Sequence, residues 1–302
     1  MISNQILKGY LLGVMGVAIF ALTLPFTRLA VDEMNPLFLS FGRTVAAAAV
    51  AGPMLLLTRQ PLPSSKDVKT LLVVAAGVVF GFPTLSAIAM QTVPASHGGV
   101  VLGALPLATA IMSVVFAGER PSLAFWVWAI AGSAAVITFA IWDGGFQIHA
   151  GDVLLVLAAL SAGMGYAAGG HLSKTLGGWQ VICWALLLAL PLTIPLTAWL
   201  ATGLTGNESL TAWGCFAYLS LMSQLAGFFA WNRGLALGGV AKVGQVQLLQ
   251  SFMTLAASWL LLGEQLTYGM FVCAGFVGLC IWFSRKTRVR AAISPKTQRF
   301  QS

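Results

Sequence analysis

Three glutamines, Gln245, Gln247 and Gln250, stand in a stretch of otherwise apolar and small residues. An amide without a partner in hydrocarbon is costly, so each must face another helix or a wet cavity. Gln247 and Gln250 are expected at a cavity, bonded to the polar groups of a solute. Ser86, His97, Tyr166, His171, Gln224, Trp231 and Asn232 punctuate similarly apolar surroundings. An intramembrane ionisable or amide group is by default a functional-site candidate, with helix–helix hydrogen bonding as the competing role. His97 is also a candidate proton-responsive group, since imidazoles change charge near neutrality. Arg43 lies well inside an apolar run and needs a partner at that depth; bonds to backbone carbonyls that anchor helix packing are the leading expectation, contact with a solute the second. Arg28 can reach outward to Asp32 or Glu33. Glu119 and Glu264 each follow a glycine at the end of an apolar run, where a capping or loop role is expected.

Other chemistries lack their residues. The chain contains no GxSxG, HExxH or paired-aspartate pattern, and His97, His149 and His171 are scattered, so no catalytic group, metal site or cofactor is expected. Cys183, Cys215, Cys273 and Cys280 form no CxxC or Cys/His pattern and read as small buried hydrophobes. No Asp or Glu falls in the middle of an apolar run, which disfavours a carboxylate proton relay. Nor is there a cluster of Lys and Arg able to clamp phosphate. The expected solute is small, neutral or zwitterionic, and partly apolar.

The elements that must position these residues are set by composition. Of 302 residues, 58% are hydrophobic and 8% charged, against about 25% charged in a soluble domain. So few polar residues cannot cover a water-facing surface, and lipid is the implied solvent. Apolar runs of about 20 residues divide the chain into roughly ten transmembrane helices. The expected spans are Leu7 to Ala30, Pro36 to Leu57, Val68 to Met90, Ser96 to Ala117, Ser122 to Ile141, Gly151 to Leu172, Trp179 to Thr202, Leu210 to Arg233, Val240 to Leu262 and Tyr268 to Ser284. Pro25, Pro83, Pro106 and Pro191 interrupt them and can supply bends. The net charge of +8 would suggest nucleic acid in a soluble protein, but the basic residues lie between or after apolar runs. They are topology signals. Arg59, Lys66, Lys69, Arg120 and Lys174 fall in alternate loops, whereas Asp32, Glu33, Asp143 and Glu208 fall in the others. With the basic tail from Arg285, this places both termini in the cytoplasm.

The chain also repeats itself. A constant shift carries Gly99 onto Gly244, Thr109 onto Thr254, Ser113 onto Ser258, Gly118 onto Gly263 and Glu119 onto Glu264. An odd number of spans in each half turns the second upside down relative to the first. The expected organisation is an all-α integral membrane protein of two inverted five-helix repeats, residues 1–145 and 146–284, followed by a basic tail, 285–302. Inverted repeats are a device of secondary transporters, which alternate access around a midplane site.

The stretches "LPLATAIMSVVFAGERPS" (Leu105 to Ser122) and "LLQSFMTLAASWLLLGEQLT" (Leu248 to Thr267), with Arg43 inside "FLSFGRTVAAA", resemble the drug/metabolite transporter superfamily in its ten-span form with two EamA-type repeats. "FAWNRGLALGGVAKVG" (Phe229 to Gly244) is similar to the YddG-type amino-acid exporters of that superfamily. The resemblance implies export of amino acids or related metabolites across a bacterial inner membrane, through a central cavity lined mainly by spans 1, 3, 4, 6, 8 and 9. Drug efflux by the same fold and a channel are the alternatives. The implied partners are the solute and the bilayer, with the chain a monomer or weak homodimer and no nucleic acid involved. The residues expected to touch the solute are Ser86, His97, Tyr166, Gln224, Trp231, Asn232, Gln247 and Gln250. Pro25, Arg43, Pro83, Pro106, Glu119 and Glu264 are assigned to structure and gating.

Overall fold

The computed structural model describes residues 4–143, 150–263 and 268–290. They form a bundle of helices: α1 (Asn4–Val31), α2 (Pro36–Leu57), α3 (Ser65–Ala89), α4 (Ala95–Phe116), α5 (Leu123–Asp143), α6 (Ala150–Leu172), α7 (Gly178–Ala201), α8 (residues 210–238), α9 (Val240–Leu262) and α10 (Tyr268–Lys286). Among the described residues, seven of these helices are long and apolar enough to cross a membrane: α1 to α4, α6, α7 and α9. Shorter apolar stretches, Leu123–Phe139 and Gly275–Ser284, lie in α5 and α10. Helix α8 carries Gln224, Asn232 and Arg233 within its length. The roughly ten spans expected from the sequence thus meet seven that qualify by length and hydropathy.

Two boundaries differ from expectation for identifiable reasons. Helix α3 starts at Ser65, because Ser64 and Asp67 form a reciprocal capping box one turn before Val68. Helix α8 continues past Arg233 to Gly238, through residues expected to be a loop. There Gly234 and Gly238 lie against Gly9 and Gly13 of α1, so close that a Cβ on Gly234 would stand 2.8 Å from the Gly9 carbonyl oxygen. Small residues let helix backbones approach in lipid, where dispersion rather than water expulsion holds them together. The same device joins α3 to α6, where a Cβ on Gly77 would stand 2.7 Å from the Gly165 nitrogen. Helix α2 packs along α7, α5 along α10, and α4 against both α6 and α9.

Several helices are irregular at mid-length. A π turn interrupts α3 at Ala75–Gly81 and another interrupts α8 at Tyr218–Ala226. A 3-10 turn precedes Leu105 in α4 and Leu248 in α9. In α4 the cause is Pro106, whose missing N–H would have bonded Leu102; the Leu105 N–H takes that carbonyl instead. Pro25 likewise frees the Ala21 carbonyl and breaks α1 at Leu22, and the Thr254 hydroxyl of α9 bonds the freed oxygen at 2.9 Å. Pro83 opens the α-helical turn that follows the α3 π turn. Helices α4 and α9 both end on a glycine in the left-handed region, Gly118 with φ 62° and Gly263 with φ 71°.

The beginning of α1 and the end of α10 lie at one end of the bundle, where a two-residue ribbon pairs Arg120–Pro121 with Val289–Arg290. Large apolar side chains such as Leu11, Leu57, Val115, Trp199 and Leu260 face outward.

Candidate functional site

The polar side chains of α1, α2 and α8 converge on an enclosed cavity between the two ends of the bundle. Its wall combines Phe20 and Thr23 of α1, Arg43 of α2, Val78 and Phe82 of α3, Tyr166 of α6, Ser223, Gln224 and Phe228 of α8, and Gln250 of α9. The cavity measures about 10 Å³, room for roughly one water molecule. A larger solute enters only if the walls move.

The two π turns meet here. The Gln224 Nε2 of one donates to the Val78 carbonyl oxygen of the other at 3.2 Å, while its Oε1 finds no partner. On the far side of α3, the Ser161 hydroxyl takes up the Gly77 carbonyl at 3.1 Å. A π turn leaves carbonyls out of register, and side chains of neighbouring helices collect them; such turns concentrate at functional sites. Thr23 and Ser223 hydroxyls lie 2.8 Å apart, and an Arg43 Nη2 donates to the Ser223 Oγ at 3.2 Å. The Arg43 side chain is buried, 3% exposed, and its Nε has no hydrogen-bond partner. The carbonyl anchoring expected for Arg43 is replaced by this hydroxyl contact. Gln250 Oε1 is also without a partner.

The apolar part of the wall is aromatic. Phe20 stacks on Tyr166 with centroids 6.1 Å apart and tilts against Phe228 at 5.0 Å. Trp231 backs this group from behind, 5.2 Å from Tyr166.

Of the residues singled out from the sequence as contacting solute, Tyr166, Gln224 and Gln250 are brought together on the wall. Four of the others have partners elsewhere. Ser86 turns its hydroxyl onto its own helix, to the Phe82 carbonyl at 2.6 Å. Asn232 donates to the Gly178 carbonyl at 3.1 Å, joining α8 to α7. Gln247 and Thr109 bond at 3.3 Å, joining α9 to α4. His97 pairs with Asp152 at the start of α6, Nε2 to carboxylate oxygen 2.6 Å. Trp231 is fully buried behind the wall. Phe20, Thr23, Phe82, Ser223 and Phe228 were not foreseen. Ser223 adjoins Gln224, and Thr23 precedes Pro25 by two positions, so for these two the neighbouring amide and proline are the signal in the sequence. The phenylalanines offered none.

Carboxylates tie elements together at each end of the bundle. At the end where α1 begins, the Glu119 carboxylate accepts from the Val240 N–H at 2.8 Å and the Ala241 N–H at 2.7 Å, capping α9. At the other end the Glu33 carboxylate accepts from the Ser209 N–H at 2.6 Å and its hydroxyl at 2.7 Å. These bonds keep the Glu33 carboxyl below the ordinary carboxylate range. Arg28 pairs with Asp32 beside it. A vestibule of about 390 Å³ opens at this end, lined by Arg28, Asp32, Thr92 and Leu262 among others. Glu264 lies outside the described residues.

The model of the EamA-like transporter family matches residues 7–141 and again residues 149–285. The chain belongs to the EamA-like transporter family. It is therefore a membrane transporter and not an enzyme. It is 44% identical over 289 residues to an uncharacterized transporter of Bacillus subtilis, YdeK, covering 94% of this chain and 99% of that one. It is 25% identical over 260 residues to a probable terminal-alkyne amino-acid exporter of Streptantibioticus cattleyicolor, covering 83% and 84%. A crystal structure with 17% sequence identity superposes with a TM-score of 0.70 over 92% of this chain and 98% of its own, a likeness of fold alone.

Proposed function

We propose that this transporter exports small zwitterionic, partly apolar metabolites, amino acids foremost, from the cytoplasm by alternating access. The observation that carries the reading is the enclosed cavity, whose wall sets Phe20, Tyr166 and Phe228 beside hydroxyl, amide and guanidinium groups. Aromatic rings suit an apolar side chain. The unpartnered oxygens of Gln224 and Gln250 suit the donors of an ammonium group. The name of the Streptantibioticus relative is in keeping with that class of solute.

In this reading α5, α8 and α10 also cross the bilayer, and residues 1–145 and 146–284 form two inverted repeats. The paired match of the family model supports it. So does the fold's internal correspondence: the shift that carries Gly118 onto Gly263 carries the α3 π turn into the α8 π turn. At the level of whole helices the shift also sets α1 against α6 and α3 against α8, so the packing of α1 on α8 has its counterpart in that of α6 on α3. The basic loops put the Glu119 end and both termini in the cytoplasm, leaving Glu33 and the vestibule outside. A solute enters from the cytoplasm, the Glu119 end closes behind it, and the Glu33 end opens.

Counterflow in proteoliposomes tests the reading, using radiolabelled leucine and phenylalanine against a cationic dye. Saturable exchange of the amino acids is expected. Preference for the dye would favour drug efflux, and steady single-channel currents in a planar bilayer would favour a channel.

A further inference from the structure

The cavity holds a charge without a counter-charge. Among the described residues the ion pairs are Arg28 with Asp32 and His97 with Asp152, and neither includes Arg43. A guanidinium stays charged in proteins and carries a fork of N–H donors. Here the bond to Ser223 uses one donor, Nε is unpartnered, and the group lines an enclosed space. Isolation of a cation from water is unfavourable unless it is paired. A structural role in helix packing would have given this side chain a carboxylate or backbone carbonyls. Its hydrogen-bond partner is instead a hydroxyl already engaged with Thr23, and Arg43 lines the cavity with donors to spare.

We infer that Arg43 is the solute-binding group that selects for a free carboxylate, which completes its missing ion pair when the cavity is occupied. The inference rests on the amino-acid reading above and narrows it: a neutral or cationic molecule of the same shape is a poor solute, because it leaves the guanidinium uncompensated. The planar fork matches a carboxylate in two-point contact. Decarboxylated amines and carboxyl-blocked derivatives keep the ammonium and the apolar side chain, so they isolate the carboxylate as the variable.

The test uses the full chain in proteoliposomes, with counterflow of labelled L-phenylalanine competed by unlabelled L-phenylalanine, L-phenylalaninamide or phenethylamine. The amide and the amine are expected to compete about ten- to a hundred-fold less well, the range for loss of a charge-assisted hydrogen bond. In R43Q this discrimination should collapse, whereas R43K should retain it with weaker binding, a point charge replacing a fork. Equal competition by all three compounds on the wild-type chain would overturn the inference while leaving transport intact. Failure of the wild-type chain to move phenylalanine or leucine would instead remove the amino-acid reading and this inference with it. The wild-type comparison needs no variant to fold.

Discussion

At the scale of single residues, Glu119 shows how one side chain ties a loop to a helix. It is 4% exposed and accepts from two successive backbone N–H groups at the start of α9. Both donors are among those that a helix leaves unsatisfied in its first turn, and negative charge is favoured there. E119A should leave two buried donors orphaned and cost about 1–3 kcal/mol, read as a lower unfolding midpoint in detergent. E119Q keeps an acceptor and should lose less. Equal stability of E119A and the wild-type chain would mean that water replaces the carboxylate. The sequence marks such residues by type: a carboxylate after Gly118, amides at Gln224 and Gln250, and a phenol at Tyr166 are each anomalous in an apolar run. It does not name partners. Nothing local pairs His97 with Asp152 or sends Gln247 to Thr109 rather than into the cavity, because those pairings depend on which helices are neighbours. Phe20 and Phe228 escape notice for a different reason, since a phenylalanine facing lipid and one facing a solute satisfy hydrophobicity equally well.

At the scale of elements, the close crossings make a sharper claim than span lengths do. A Cβ added at Gly234 meets the Gly9 oxygen at 2.8 Å and the Gly13 nitrogen at 2.9 Å, and one at Gly77 meets the Ser161 oxygen at 2.6 Å. These obstacles are backbone and cannot swing aside. G234A and G77A should each cost about 1–3 kcal/mol through forced separation of the helices, while G214A, with nothing within 4 Å of its added Cβ, should be close to neutral. Thermal unfolding of the purified variants ranks them, and a G214A as damaging as G77A would count against this packing. The tie of Glu33 to the start of α8 gives a pH dependence. Its carboxyl lies below the ordinary value of 4.5, first because of the bond from the Ser209 backbone and then that from its hydroxyl. Lowering in the folded state means that the contribution is complete above that ordinary value and fades as pH falls through the depressed one. E33Q should therefore flatten the acid limb of the unfolding midpoint against pH; an unchanged limb would exclude Glu33 as its source. Helix positions were legible from apolar run length, but the π turns were not. The π turn of α3 lies where that helix packs on α6 and where Gln224 of α8 meets Val78, a tertiary setting that no local pattern marks.

At the scale of the whole molecule, the contacts at the two ends cannot all persist while a solute passes through. The cavity between them is about 10 Å³, far below the size of an amino acid, so under the proposed alternating access each end must part in turn. The proposed inverted repeat makes those partings counterparts. The π turns of α3 and α8, joined by Gln224 and Val78, lie between the two ends and are the natural places for the halves of each helix to change angle. Cysteines introduced at Glu33 and Ser209 and joined by a short bis-maleimide should abolish counterflow by keeping one end shut. The same linker between residues 119 and 240 should do so from the other end. The native Cys183, Cys215, Cys273 and Cys280 are buried, as are positions 119 and 240, so both pairs are built in a background with the four native cysteines replaced by alanine, which leaves the engineered pairs as the targets. Alternating access demands that either linker alone suffices, because a complete cycle opens both ends. Free exchange with one end cross-linked would mean that the solute takes a path around that contact, and the central cavity would lose its place on the route.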